Sequence, residues 1–303
     1  MKNKTYYSNG KLLISGEYLV LDGALSLAVP TTFGQSLIIE PIHMPKIIWK
    51  SFDDNGIVWF EDEFLIEPIT SLISPQNEVS KRLVQILNAA KSINPEFLNS
   101  NQGFKVTTTL TFPKNWGLGT SSTLINNISQ WANVDAYLLL KNTFGGSGYD
   151  IACAQHNHPI SYQLENGKPM VKKLEFSPSF KNHLYFIHLN KKQNSRDGIS
   201  KYKENKDNIE SSILLINAIT SKMASCDTLE HFKKLIVEHE TIISTITKQK
   251  PVKDLLFNDF NGEIKSLGAW GGDFVLAASN RPPTAYFKDK GFQTIIPYKD
   301  MVL

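Results

Sequence analysis

Apolar and polar residues alternate in short runs along the first part of the chain. Thr5–Tyr7 and Lys11–Ser15 read as strands around an Asn9-Gly10 turn. Ala24–Pro30, Gln35–Glu40, Ile47–Lys50, Ile57–Phe60 and Glu63–Ile66 continue the strand pattern, with turns expected at Asp53–Gly56 and at Glu61-Asp62. The period then changes. Val79, Leu83, Ile86, Leu87 and Ala90 recur at helical spacing within Gln76–Ser92, and Asn77 is placed to cap that helix. Phe104–Thr111 is a strand with alternating threonines, and the long apolar stretch Leu124–Leu140 reads as a helix.

Further along, Ile160–Gln163, Val171–Leu174 and Leu184–Leu189 read as strands, and Ser177–Asn182 as a domain boundary. Helices are expected over Ser200–Ser225, Thr228–Thr247 and Lys250–Phe257. Ile264–Lys265, Phe274–Ala278, Thr284–Lys288 and Gln293–Pro297 complete the strands. There is no internal repeat. The irregular mixture of strands and helices predicts an α+β protein rather than a regular doubly wound sheet.

Three glycine-bearing stretches stand out. The second, Pro113–Ser129, places Gly117 and Gly119 ahead of four hydroxyls, Thr120 to Thr123, at the start of a helix. Glycines let successive N–H groups turn inward as an anion-binding nest, and a helix start adds its unpaired N–H groups. The same residues also make an ordinary capped helix after a tight turn. No Gly-x-x-x-x-Gly-Lys-Ser/Thr loop and no dinucleotide fingerprint occurs. The first stretch, Ser8–Lys11 with Gly16-Glu17-Tyr18 and Asp22-Gly23, sets a lysine just past a glycine, within reach of a phosphate or simply at a strand edge. Another stretch, Gly145–Asp150, holds one acid at a helix start. That acid suits a general base or a metal ligand, and equally an N-cap. Leu267–Asp273 is its glycine-rich companion.

Composition narrows the classes. The chain has 303 residues, 41% hydrophobic and 20% charged, enough for one large or two modest domains. A net charge of +3 is too near neutral to point to nucleic acid or a membrane surface. Two cysteines, Cys153 and Cys226, make no disulfide framework and fit a reduced, cytoplasmic location. Met1–Gly10 lacks the apolar core of a secretion signal, and no run approaches the about 18 apolar residues of a membrane span.

Taken together, Ser8–Gly23, Pro113–Ser122 and Ile264–Asp273 resemble the three ordered motifs of the GHMP superfamily of small-molecule kinases. Gly16–Leu21, Gly271-Gly272-Asp273 and Gly146–Ala152 look closest to phosphomevalonate kinases, and Gly148-Tyr149-Asp150-Ile151-Ala152 resembles the signature of the GYDIA-type subgroup. The resemblance implies a two-domain α+β fold: residues 1–176 like ribosomal protein S5 domain 2, and residues 177–303 ferredoxin-like. It implies ATP as phosphoryl donor, held along Lys114, Asn115, Trp116, Gly117, Leu118, Gly119, Thr120, Ser121 and Ser122, with Mg2+ on Ser121. Asp150 and Lys11 take the catalytic positions. Glu17, Tyr18, Ser147, Gly148, Gly271, Gly272, Asp273, Ser195 and Arg196 fall where the acceptor binds. The implied partners are ATP and a small anionic metabolite, mevalonate or phosphomevalonate first, with a sugar or homoserine as alternatives, and the state is a monomer or homodimer. A non-catalytic nucleotide-binding sensor is the reading from another class.

The chain also departs from the family pattern. Asn115 and Trp270 stand where glycine is usual, and Trp116 where a small residue is usual. Leu138-Leu139-Leu140 stands where mevalonate kinases carry a magnesium-binding glutamate, with Asp135 the nearest acid. The loop Lys191–Arg196 suits an anionic acceptor or is simply solvated. His156-Asn157-His158 reads as a polar turn, Cys153 as a small buried residue, and His231, Glu238, His239 and Glu240 as an exposed helix face.

Overall fold

Asn9-Gly10 does not turn. In the computed structural model the first strand, β1 (Lys4–Ser15), runs straight through it. Ser8, Asn9 and Gly10 are all buried, and the Ser8 hydroxyl donates to Asn127 Oδ1 and accepts from Asn126 Nδ2, each at 2.8 Å. A turn there would strand those groups. The structure describes residues 2–99, 102–192 and 195–303, with only the backbone of Ser195, Arg196, Asp197 and Lys201.

The chain continues with β2 (Ser26–Ile42), β3 (Lys46–Phe52), β4 (Val58–Ile66), β5 (Ile69–Ser71), α1 (Glu78–Ile93), β6 (Gly103–Leu110), α2 (Thr120–Ala132), α3 (Ala136–Lys141) and α4 (Tyr149–Gln155). Then follow β7 (Ile160–Glu165), β8 (Lys168–Lys173), β9 (Leu184–His188), α5 (Ser195–Asn205), α6 (Glu210–Ala224), α7 (Leu229–Thr247) and α8 (Val252–Leu256). The last elements are β10 (Glu263–Ser266), β11 (Phe274–Ala278), α9 (Thr284–Asp289), β12 (Ile295–Pro297) and α10 (Tyr298–Met301). Among the described residues no helix is long and apolar enough to cross a membrane.

These elements gather into two units. One holds the residues up to Gly10, Phe33–Lys114 and Leu118–Gln155. Its strands run in the order β5-β4-β3-β6-β2, antiparallel except for the parallel pair β3–β6. Leu37, Ile47, Trp49, Phe64 and Val106 from the sheet pack with Leu83, Ile86, Leu87, Ile125, Ile128 and Ile151 from the helices. The expected cap of α1 is present, with the Asn77 side chain accepting from Val79 N and Ser80 N. Glu61-Asp62 is not a turn. β4 passes through it with Phe60, Asp62, Phe64 and Ile66 buried in alternation, and Asp62 accepts from Ser71, Ser80 and two backbone N–H groups.

The stretch Leu124–Leu140 is two helices, not one. Asn133 adopts φ 53 and ends α2, and Asp135 caps α3 by accepting from Leu138 N at 2.7 Å. Asparagine tolerates the left-handed region because its short polar side chain bonds locally.

The other unit holds Lys11–Thr32, Asn115–Gly117 and His156–Leu303. It pairs Ser26–Ala28 of β2 with β7, and β7 with β8. It also contains a four-stranded antiparallel sheet, β10-β11-β9-β12, whose core includes Ile187, Ile264, Val275, Phe257, Phe260 and Phe287. The expected helix Ser200–Ser225 is broken into α5 and α6, where Asn208 adopts φ 49. Thr284–Lys288 is helical, not extended. Pro283 precedes it, lacking only an N–H that a first turn leaves unused, and Phe287 N closes the turn on the Pro283 carbonyl. Phe287 is the residue of that turn that enters the core.

Candidate active site

Gly117 is fixed from two sides by residues far away in sequence. Lys11 Nζ donates to its carbonyl at 2.8 Å. On its other side, a Cβ at Gly117 would lie 2.3 Å from Asp273 Cγ, and the backbone there has φ +68. Only glycine meets both conditions without displacement. The two preceding residues are pinned as well. The Asn115 carbonyl lies 3.2 Å from His188 Nε2, and Trp116 packs edge-on against Phe274 at 5.4 Å and beside His188 at 6.2 Å. Asp273 itself sits at φ 54, with its N–H on the Lys191 carbonyl and its carbonyl on Leu189 N–H. Thus one lysine of the first motif and one aspartate of the third set the backbone of the second.

Gly117→Ala is therefore expected to push the Asp273 carboxylate aside and strain the backbone, costing about 1–3 kcal/mol. Urea unfolding measures the stability loss, and calorimetry with ATP should show weaker binding. An unchanged ATP affinity in a folded variant would separate this backbone from nucleotide binding.

The residues that follow belong to the other unit. Leu118 is buried, and Gly119 opens α2 at φ 97 with no side-chain cap and no acid in the first turn. Ser122 and Thr123 turn their hydroxyls back onto the Gly119 carbonyl at 2.9 and 3.1 Å. Ser121 is exposed and Thr120 half-buried. A 13-residue helix that starts uncapped presents N–H groups and a positive dipole end to an anion. Lys114 lies over the Trp59 ring at 4.4 Å.

Asp150 stands in the first turn of α4, half-buried, its Oδ1 accepting from Ile151 N at 3.1 Å. Ser147 and Gly148 just before it are buried, and Gly148 turns the chain at φ 89. Ile151 to Ala154 are buried, Cys153 completely. Asn126 of α2 accepts from Gln155 Nε2 at 3.0 Å, which ties α4 to α2.

Glu17 and Tyr18 are both buried. Tyr18 adopts φ 64 and ψ −52, and Leu19 N donates to the Glu17 carbonyl at 2.7 Å. That geometry is a γ-turn of the rare, strained kind. The Tyr18 ring stacks on Tyr202 at 5.5 Å. Tyr202 in turn donates to Asp22 at 2.6 Å, and Lys206 takes the other Asp22 oxygen at 2.5 Å. Burial pushes the Tyr18 phenol up to about 12. In the third motif Gly268, Trp270, Gly271 and Asp273 all have positive φ, which accounts for the usual glycine at the Trp270 position. Gly271 is exposed and Gly272 buried. The side chains of Ser195 and Arg196 lie outside the described residues, and their backbone opens α5.

Four residues beyond the site residues expected from sequence contact the motifs: His188 at Asn115, His239 at Gly16 and Glu17, Lys265 at Glu17, and Glu240 at Lys265. His239 and Glu240, expected on an exposed face, are buried. The signal was present, since Phe232, Leu235, Ile236, His239 and Ile243 share one helical face and all are buried. Among the described residues no group of His, Cys, Asp or Glu is placed to hold a metal ion. His156 and His158 meet edge-on at 5.3 Å.

No family model and no curated protein matches the chain by sequence. Solved structures do match it by fold. It resembles the Streptococcus pneumoniae phosphomevalonate kinase, crystallised with phosphomevalonate and AMPPNP, at TM-score 0.70 and 15% identity over 95% of this chain and 97% of that one. It resembles the Methanococcus jannaschii mevalonate kinase at TM-score 0.68 and 17% identity, over 96% and 93%. A Lactococcus lactis galactokinase complexed with galactose matches at TM-score 0.66 and 13% identity, over 95% and 88%. The chain has the mixed α/β fold of the GHMP small-molecule kinases.

Proposed function

We propose that this chain is an ATP- and magnesium-dependent kinase that phosphorylates a small anionic metabolite, with mevalonate or phosphomevalonate as the leading acceptors and isoprenoid precursor synthesis as the setting. The observation that carries the reading is the treatment of Gly117, whose carbonyl takes Lys11 and whose open side takes Asp273, directly ahead in sequence of an uncapped helix start. Phosphoryl transfer asks a protein for positioning and charge neutralisation, and this stretch is built for both.

In this reading the α2 N–H groups, Thr120 and Ser121 hold the ATP phosphates, and Lys11 steadies the transferred group. Mg2+ prefers oxygen ligands and keeps phosphate and water in its shell. The exposed Ser121 hydroxyl suits that donor set, and the ion neutralises phosphate charge when bound. Asp150 takes the proton of an alcohol acceptor as its oxygen bonds to the γ-phosphorus and the bond to ADP breaks. Glu17, Tyr18, Ser147, Gly148, Gly271, Gly272, Asp273, Ser195 and Arg196 make up the acceptor side in this reading, Glu17 from its buried place behind Tyr18. The reading includes an S5-like domain over residues 1–176 and a ferredoxin-like one over 177–303, the latter supported by the four-stranded antiparallel sheet. It also includes a cytoplasmic location, in keeping with two free, buried cysteines, and a monomeric or homodimeric state.

A sugar acceptor is disfavoured because Asp22, the acid available for sugar hydroxyls, is engaged by Tyr202 and Lys206. A second reading, a nucleotide-binding sensor without turnover, is favoured by one observation: Asp135, the nearest acid to the missing magnesium-binding glutamate, is used as a helix cap. ADP release with magnesium-ATP, run on mevalonate and phosphomevalonate in parallel, tests both. Turnover on one acceptor is the expected result. Tight ATP binding without ADP release on an acceptor panel would overturn the kinase reading in favour of the sensor.

A further inference from the structure

Behind the Tyr18 γ-turn lies a buried cluster of four titratable groups. Lys265 on β10 and His239 on α7 are completely buried, Glu17 is 1% exposed and Glu240 on α7 is 4% exposed. Lys265 Nζ donates to Glu17 Oε1 at 2.6 Å and to the Ser266 carbonyl at 2.6 Å, and it lies 3.2 Å from Glu240 Oε1. All three neighbours are acceptors, so the ammonium is charged. Ser266 Oγ accepts from Val252 N at 3.2 Å and donates to Glu240 Oε2 at 2.6 Å. Glu240 thus accepts from Ser266 on one oxygen and has the Lys265 ammonium 3.2 Å from the other, an ion-pair setting that suits an ionised carboxylate.

Glu17 is different. Among the described residues its Oε2 has no hydrogen-bond donor, and it lies 3.2 Å from His239 Nε2. That nitrogen already accepts from the Gly16 backbone N–H at 3.0 Å, so it carries no proton, and its single lone pair is shared between the Gly16 amide and the facing carboxyl. Two acceptors facing each other at this distance in a buried site need a proton between them, and the carboxyl is the group able to supply it. With that proton in place the cluster holds one ammonium, one carboxylate, one carboxylic acid and one neutral imidazole, and its net charge is zero.

We propose that Glu17 is a positioning residue whose protonated carboxyl bridges Lys265 and His239, and that this bridge holds the strained Tyr18 turn on the acceptor side of the site. Gly16 and Glu17 are the two residues before Tyr18, and both are tied to His239, so the bridge acts on the backbone immediately before the turn. Burial pushes the Glu17 carboxyl up to about 7, with Lys265 opposing. Burial also raises Glu240 and holds His239 well below its usual range. Loss of the Glu17 proton leaves a carboxylate against the His239 lone pair and loosens the turn. The acceptor-side function rests on the kinase reading; the proton bridge itself does not.

The test separates the two. Urea unfolding of the ligand-free protein is followed across pH for wild type and Glu17→Gln, whose amide offers a donor to His239 and an acceptor to Lys265 without titrating. A carboxyl raised in the folded state contributes stability that is full below its unfolded value and is lost as pH rises through its folded value. The Glu17 contribution to the folding equilibrium therefore falls roughly tenfold per pH unit from about 4.3 up to neutrality. Glu240 acts in the same direction. His239, held neutral, acts oppositely below its unfolded value, so the difference between the two proteins carries the result. Expected is a wild-type curve that falls relative to Glu17→Gln across that window. Parallel curves overturn the bridge.

In steady-state assays on mevalonate and phosphomevalonate, the acceptor KM of wild type should rise through neutrality, while that of Glu17→Gln stays flat and the ATP KM of both is unaffected. Equal pH dependence of acceptor KM in both proteins overturns the positioning role even if the bridge stands. Absence of turnover counts against the kinase reading alone; Tyr18 fluorescence, isolated by comparison with Tyr18→Phe, then reports the turn, and a signal that does not change through neutrality overturns the positioning role. If Glu17→Gln does not fold, infrared titration of wild type decides: a protonated-carboxyl stretch that disappears through neutrality supports the bridge, and its absence at acidic pH overturns it.

Discussion

Asp150→Asn is expected to lower kcat on an alcohol acceptor by about two to four orders of magnitude, the span of a general base, with ATP affinity retained. The substitution is isosteric, and the four residues after it, Ile151 to Ala154, anchor α4 in the core. Oδ1, the oxygen that accepts from Ile151 N, is kept by the amide. What is lost is the charge and the capacity to take a proton. The size of the loss carries information about the acceptor. Mevalonate presents a hydroxyl whose proton must leave as the oxygen attacks. Phosphomevalonate presents a phosphate oxygen already ionised near neutral pH and needs placement rather than a base. A large loss therefore points to an alcohol and a small one to a phosphate. Parallel kcat and KM measurements on both acceptors, with calorimetry for ATP, make the distinction. Undiminished kcat on an accepted alcohol would remove Asp150 from the chemistry.

The parts of this molecule legible from sequence are those fixed by nearby residues. The period of α1 and its Asn77 cap lie within one short window, as do the Gly117–Ser122 turn and the buried Cys153. Where local composition and long-range contacts disagree, the long-range contacts set the structure. Asn9-Gly10 has the composition of a turn, but Ser8 is held by Asn126 and Asn127 about a hundred residues away, so the strand continues. Glu61-Asp62 looks solvent-facing, yet Asp62 is a buried acceptor hub. Thr284–Lys288 is too short for a period to decide between strand and helix, and the preceding proline decides it. The candidate site shows the same divide. Its motifs are local strings, whereas their mutual support is not. Lys11 meets Gly117 across 106 positions, and Lys265 meets Glu17 across 248. No spacing rule links such pairs. Nothing in the local sequence marks Lys265 as completely buried until its partners are seen.

Lys265→Met tests that long-range support with an apolar side chain of similar length. It is expected to destabilise the protein by about 3–5 kcal/mol near neutral pH, the cost of breaking a buried ion pair by removing one partner. The charge of Glu240 then has Ser266 as its donor and no cation. Relief comes by protonation. Without the lysine, burial raises the folded-state value of Glu240 further, so the variant binds a proton that the unfolded chain does not hold above about pH 4.3. Stability contributed by that proton is full below the unfolded value and is lost as pH rises, so the deficit of Lys265→Met shrinks in acid and widens in base. Adding Glu240→Gln removes the stranded charge, keeps an acceptor for Ser266, and should recover most of the loss, because a neutral buried cluster has no ion to desolvate. Urea unfolding of the single and double variants on either side of neutrality measures both effects. A deficit of the same size at every pH, unrelieved in the double variant, would mean that Lys265 contributes packing rather than charge, and the assignment of the one carboxylate in the cluster to Glu240 would fall with it.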